Sequence, residues 1–166
     1  AVRALTRAGV PVMGHLGLTP QTAGQLGGYS VQGRDLTSAE KLVDDAGSLV
    51  DAGVFAIVLE CVPGGLAGVV TGTVDVPTIG IGAGPDCDGQ VLVIHDLLGL
   101  FERFTPTFAK KYADLAPRVR EAVSAFREEV SAGVFPAPEH TFASKADFSS
   151  LLKKKQGDRG GGHENP

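Results

Sequence analysis

The strongest constraint on the fold is the stretch Val54 to Leu59, six apolar residues in a row that run into Glu60, Cys61, Val62 and Pro63. A short continuous apolar run closed by a turn signal reads as a strand buried on both faces, as in a parallel sheet covered by helices. In such sheets, and in α/β barrels above all, reactive side chains gather at the carboxyl ends of the strands. Glu60 stands at that end. A carboxylate there is either a catalytic group or a charge that needs a partner.

The surrounding sequence repeats this pattern. Ala8-Gly9-Val10 and Ala52-Gly53-Val54 are the same helix-to-strand hinge, and Val10-Pro11-Val12-Met13-Gly14 is nearly copied by Val76-Pro77-Thr78-Ile79-Gly80. Strands are expected at Val10–Gly14, Val54–Leu59, Val76–Gly82 and Gln90–Asp96. Ala1–Ala8 reads as the end of a helix stopped by Gly9. Thr37-Ser38-Ala39-Glu40 has the form of a capping box, opening a helix with Leu42, Val43, Ala46, Leu49 and Val50 as its apolar stripe. A short helix is predicted over Gly64–Thr73, with Leu66, Val69 and Val70 inward. His15 to Pro20 reads as a loop, and residues 21–36 as a long Gly-rich connection. Strands alternating with helices imply a parallel sheet with right-handed crossovers.

Beyond these units, the region of Phe101, Phe104 and Phe108 is expected to be partly helical. Pro117 then opens a helix with Val119, Val123, Phe126 and Val130 at helical spacing and Gly133 as its stop. Residues 136–142 read as extended.

At 166 residues, with 43% hydrophobic and 20% charged content, the chain is long enough for one domain with a core. A net charge of -4 gives no electrostatic footprint for nucleic acid. Apolar runs stay far below a membrane span, and no secretory signal is visible. Cys61 and Cys87 make no disulfide framework, which points to a reducing cytoplasm. The start at Ala1, inside an apparent helix, suggests a missing amino-terminal portion.

Glu60 is the leading candidate for chemistry, because carboxyls desolvated at strand ends titrate closer to neutrality and suit a general base. The competing reading is a structural carboxylate paired with an arginine or capping the next helix. His15 follows the first strand and is either a loop histidine or a substrate contact on the same rim. Gly80-Ile81-Gly82-Ala83-Gly84 has the look of a phosphate cradle but lacks a full nucleotide fingerprint. Close approach to a ligand and tight packing explain its glycines equally well. Cys61 reads as a packed residue rather than a nucleophile. His95-Asp96 ends the fourth expected strand, where structural pairing is the safer reading. Asp86 and Asp88 flank Cys87 without regular metal-ligand spacing. His140 and His163 suggest no role.

Taken in order, several motifs resemble the ketopantoate hydroxymethyltransferase (3-methyl-2-oxobutanoate hydroxymethyltransferase) family. They are Gly14-His15-Leu16-Gly17-Leu18-Thr19-Pro20, Gly27-Gly28-Tyr29-Ser30-Val31-Gln32-Gly33-Arg34, Leu59-Glu60-Cys61-Val62-Pro63, Ile79 to Gly84 and Asp88 to Val93. Phe108 to Tyr112 and Ser131 to Pro136 extend the likeness, which covers about residues 1–142. The resemblance implies an α/β (β/α)8 TIM barrel, of which this chain would hold about the last four βα units with their terminal helices. Residues 143–166 would be a polar tail, with little to bury from Ser149 onward and expected to be disordered.

The implied reaction moves a hydroxymethyl group from 5,10-methylenetetrahydrofolate to 3-methyl-2-oxobutanoate, making 2-dehydropantoate for pantothenate biosynthesis. The implied cofactor is Mg2+, and the implied assembly is a cytoplasmic homo-oligomer, a decamer. By resemblance Glu60 matches the family's proton acceptor, and His15 a histidine that hydrogen-bonds the keto acid. Gly82 and Gly84 would let ligand and backbone approach closely. The family's metal-binding Asp and Glu residues lie on the first four strands, so no metal ligand is expected in this chain, which then reads as a fragment. The rival expectations are another Mg-dependent barrel lyase or aldolase acting on a 2-oxo acid, and a non-catalytic half-barrel assembly module.

Overall fold

The computed structural model describes residues 1–22 and 30–148. Part of the Gly-rich connection, including Gly24, Gly27, Gly28 and Tyr29, lies outside the described residues, as do the expected disordered tail from Ser149 and His163. The chain divides into two compact units, Ala1–Pro117 and Arg118–Pro166.

In the first unit four parallel strands pair in sequence order: β1 (Met13–Gly17), β2 (Ala56–Glu60), β3 (Thr78–Ile81) and β4 (Gly89–Gln90). A short α1 (Val2–Arg7) precedes β1, α2 (Leu36–Asp51) joins β1 to β2, and α3 (Gly64–Thr73) joins β2 to β3. Residues 82–88 connect β3 to β4 without a helix.

Side chains alternate across each strand, so register sorts them into two faces. Ile57 and Leu59 of β2 are fully buried against Leu42 and Ala46 of α2 and Ala67 and Val70 of α3. Burying one such side chain contributes about 1.5–3 kcal/mol. The opposite face carries Val58, Ile79, His15 and Glu60, all of them only partly buried. Burial on both faces, expected from the apolar run, therefore holds at Ala56 but not at Val58 or Glu60.

Several boundaries differ from the sequence reading. β1 starts at Met13, so His15, Leu16 and Gly17 belong to the strand rather than to a loop. In the stretch before it, Val12 O accepts from Phe55 N, Val10 N turns back to Leu5 O, and Pro11 has no N–H to offer a ladder. The N-cap of α2 is Asp35, not Thr37. Its carboxylate accepts from the Ser38 amide at 3.0 Å and from the Ser38 hydroxyl at 2.6 Å. Those bonds, the hydroxyl's first, hold the Asp35 carboxyl below its ordinary range. On α3 Val70 is buried and Leu66 packs half-buried against the core, as expected, and Ala67 joins them, while Val69 is exposed, two residues from Ala67 and so off that face.

The fourth expected strand shrinks to two residues. Ile94–Leu97 instead forms α4, where the amides of Asp96 and Leu97 bond back to Val93 O. His95 and Asp96 thus sit in a helical turn and not at a strand end. Short apolar runs do not distinguish strand from buried helix. No helix forms between Phe101 and Phe108. The chain is strapped back to α4 by Tyr112 N and Leu115 N, which donate to Leu97 O and Leu98 O.

Helix α5 (Ala116–Ser131) runs on into the second unit, with Pro117 as its second residue. Val119, Val123, Phe126 and Val130 are 47–61% exposed. Gly133, at φ +68°, stops the chain's helical course, and Phe135 meets Phe126 edge-on at 5.4 Å. The segment expected to be extended contains a 3-10 turn at Pro138–His140, closed by Ala137 N donating to His140 Nδ1.

Candidate active site

Parallel pairing of β1 with β2 sets His15 opposite Val58 and Gly17 opposite Glu60. His15 and Glu60 therefore lie on one face of neighbouring strands, two residues apart in register. Their side chains meet there, with His15 Nε2 3.0 Å from Glu60 Oε2. With the carboxylate ionised, Nε2 is the donor. The side chains are 32% and 18% exposed, so the pair is sheltered yet reachable from solvent.

Backbone bonds fix the carboxyl end of β2 from both sides. Leu18 N donates to Glu60 O at 2.8 Å, Cys61 N to Ile81 O at 2.9 Å, and Gln32 N to Cys61 O at 2.9 Å. Cys61 adopts φ +50°, a left-handed turn that is uncommon for a non-glycine residue. Burial, and after it the charge of neighbouring Glu60, pushes the Cys61 thiol up, so it stays protonated at neutral pH. That environment suits a packed residue rather than a nucleophile.

Gly82 and Gly84 both have positive φ. Within this chain the close approaches they permit are to the chain itself: a Cβ on Gly82 would lie 2.7 Å from the Phe108 ring, and one on Gly84 would lie 2.8 Å from Gly64 Cα. Asp88 accepts at one carboxylate oxygen from Thr78 N (2.8 Å) and Thr78 Oγ1 (3.1 Å). Thr78, fully buried, also shares a 2.8 Å contact with Thr71 Oγ1. This clamp ties β4 and the loop before it to the start of β3. It was not foreseen, because no local spacing links Thr78 to Asp88.

Beside β1 lie two cavities of about 430 and 290 Å³, both lined by His15, Leu16 and Asp45. Among the described residues no group of three or more His, Cys, Asp or Glu side chains could hold a metal ion. The described residues therefore do not by themselves make the oxygen-rich set that Mg2+ requires.

A sequence model of the family described as ketopantoate hydroxymethyltransferase matches residues 1–138. The chain belongs to the ketopantoate hydroxymethyltransferase family. A relative named 3-methyl-2-oxobutanoate hydroxymethyltransferase from Desulfotalea psychrophila is 63% identical over 151 residues, covering 91% of this chain and 54% of the relative. Proteins of the same name from Moorella thermoacetica (63% identity; 85% and 52% coverage) and Heliobacterium modesticaldum (56%; 90% and 54%) match similarly. The chain spans about half the length of these relatives. The ketopantoate hydroxymethyltransferase match takes in both members of the His15–Glu60 pair, the glycines at 82 and 84, and the strap that follows α4.

Proposed function

We propose that this chain supplies the last four strands of a (β/α)8 ketopantoate hydroxymethyltransferase, the helix between the last two being absent, with Glu60 as the base that removes the C3 proton of 3-methyl-2-oxobutanoate. The observation that carries the reading is the 3.0 Å contact between His15 and Glu60 at the carboxyl end of adjacent parallel strands, on the face the helices leave open. A barrel interior is that kind of face, and strand carboxyl ends are where barrel chemistry occurs.

Glu60 takes the proton while His15, bonded to one carboxylate oxygen, holds the other toward the substrate. Reach of a hydrogen bond is the geometric requirement for such a base. Water opens the donor's methylene bridge, each C–N bond breaking with its electron pair and a proton going to nitrogen, and the carbon leaves at the oxidation level of formaldehyde. The enolate carbon adds to that C=O, and its oxygen takes the proton held by Glu60, so the exchange is redox-neutral. Mg2+ would polarise the keto acid, but the described residues do not make its site and no step here depends on it. The same reading makes the enzyme a cytoplasmic homo-oligomer. Among the described residues no helix is long and apolar enough to cross a membrane.

The test is Glu60→Gln in the full-length enzyme that carries this chain. Deuterium exchange at C3 of the keto acid, followed by proton NMR without folate, is expected to fall by about 10²–10⁴-fold, with keto-acid binding retained. Exchange at the wild-type rate removes Glu60 as the base.

A further inference from the structure

Glu60 is flanked unequally on its own face of the sheet. Side chains on that face recur at every second residue and line up across strands by register. On the β1 side the neighbours are His15, which bonds the carboxylate, and Gly17, which has no side chain. On the β3 side they are Ile81, the register partner of Glu60, and below it Ile79, the partner of Val58. Val58 itself precedes Glu60 by two residues on β2. The base thus has a polar flank toward β1 and a branched aliphatic flank toward β3. Resting on the proposed role of Glu60, we infer that Ile81 and Val58 form the wall that sizes the alkyl group on C3 of the 2-oxo acid. That group lies on the β3 side of the base, with the oxo-acid end on the His15 side.

Reach carries the assignment. A carbon that loses its proton to Glu60 stands about 3–3.5 Å from a carboxylate oxygen, with its substituents one bond further out. Adjacent strands are about 4.8 Å apart, and alternate residues of one strand about 6.6 Å. The groups on C3 therefore meet the side chains that border Glu60, whatever the full-length enzyme adds above them. Of those borders only the β3 flank is apolar. An alkyl group set against His15 would strip water from a polar ring without a hydrogen bond in return. Both strands are internal to the sheet, β2 between β1 and β3, and β3 between β2 and β4, so these neighbours are in place without further strands.

Packing supplies the selectivity. Ile81 is buried but stands apart from the core cluster beneath α2 and α3. Its carbonyl accepts from Cys61 N at 2.9 Å, which ties it to the turn that follows Glu60. A buried, β-branched side chain on a tethered backbone does not swing aside for a longer substituent. Val58, half-buried, closes the space from below. A wall of this kind separates substrates that differ by one methylene about 10–200-fold.

The test compares C3 deuterium exchange of 3-methyl-2-oxobutanoate with that of 3-methyl-2-oxopentanoate, one methylene longer, in the full-length enzyme without folate. Ile81→Ala is expected to raise the kcat/KM ratio of the longer acid to the shorter about tenfold. Ile81→Val, which keeps a branched side chain should alanine fail to fold, and Val58→Ala should move the ratio the same way by less. Ile57→Val, next to Val58 but fully buried under the helices, should lower the melting temperature and leave the ratio unchanged. An unchanged ratio in Ile81→Val and Val58→Ala, or a ratio raised as much by Ile57→Val, overturns the wall. Glu60→Gln exchanging both acids at the wild-type rate overturns the base instead, so the two failures are told apart.

Discussion

The Leu18 amide donates to the Glu60 carbonyl at 2.8 Å, one residue beyond Gly17, whose φ is +86°. A Cβ at Gly17 would collide with that same Glu60 carbonyl and press on Val62. Gly17→Ala is therefore expected to combine left-handed strain of about 1–2 kcal/mol with displacement of the end of β2. The full-length enzyme should lose thermal stability and C3 exchange together. A variant that keeps the wild-type melting temperature and exchange rate would show that the backbone approach is not needed.

Asp88 sits on the Thr78 amide and hydroxyl at the start of β3. Asp88→Ala strips the fully buried Thr78 of those partners. The expected cost is about 1–3 kcal/mol, read as a lower midpoint in urea denaturation. Asp88→Asn, which keeps an acceptor oxygen, should recover much of it. Equal midpoints for all three proteins would remove the clamp from the stability of the fold.

Cys61 is held as a thiol by burial and, second, by the charge on Glu60. Because the folded value lies above the unfolded one, the linked stability is fully present below the ordinary thiol pKa of about 8.5. It fades as pH rises through the folded value. Alkylation of Cys61 by iodoacetamide at pH 7.5 should be slower than that of a free cysteine. Glu60→Gln, which removes the second cause, should speed it modestly. Rapid alkylation unaffected by Glu60→Gln would contradict this environment.

The sequence made some of this legible and concealed the rest for physical reasons. The run Val54–Leu59 and the helix Gly64–Thr73 could be found because their apolar residues and bounding turns are local signals. The edge at Met13 could not, because it is set by pairing with Ala56, more than forty residues away. For the same reason His15 looked like a loop residue, and its bond to Glu60 depends on a register that no short window contains. The apolar run from Val91 fits a strand and a buried helix equally well, and the backbone bonds to Val93 O decide for α4. Glu60 itself stood out because a carboxylate seldom ends an apolar strand without a reason.

Every strand of this sheet lies beside its neighbour in the sequence. No segment must thread between two already paired, and each closure spans a single repeat. Such a topology limits the loop-closure entropy of each step, although parallel pairings such as that of Met13 with Ala56 form more slowly than local contacts. The sheet can thus grow by accretion, each unit docking on the one before it as the chain lengthens. The pair at the carboxyl ends of β1 and β2 would be in place before β3 and β4 are added.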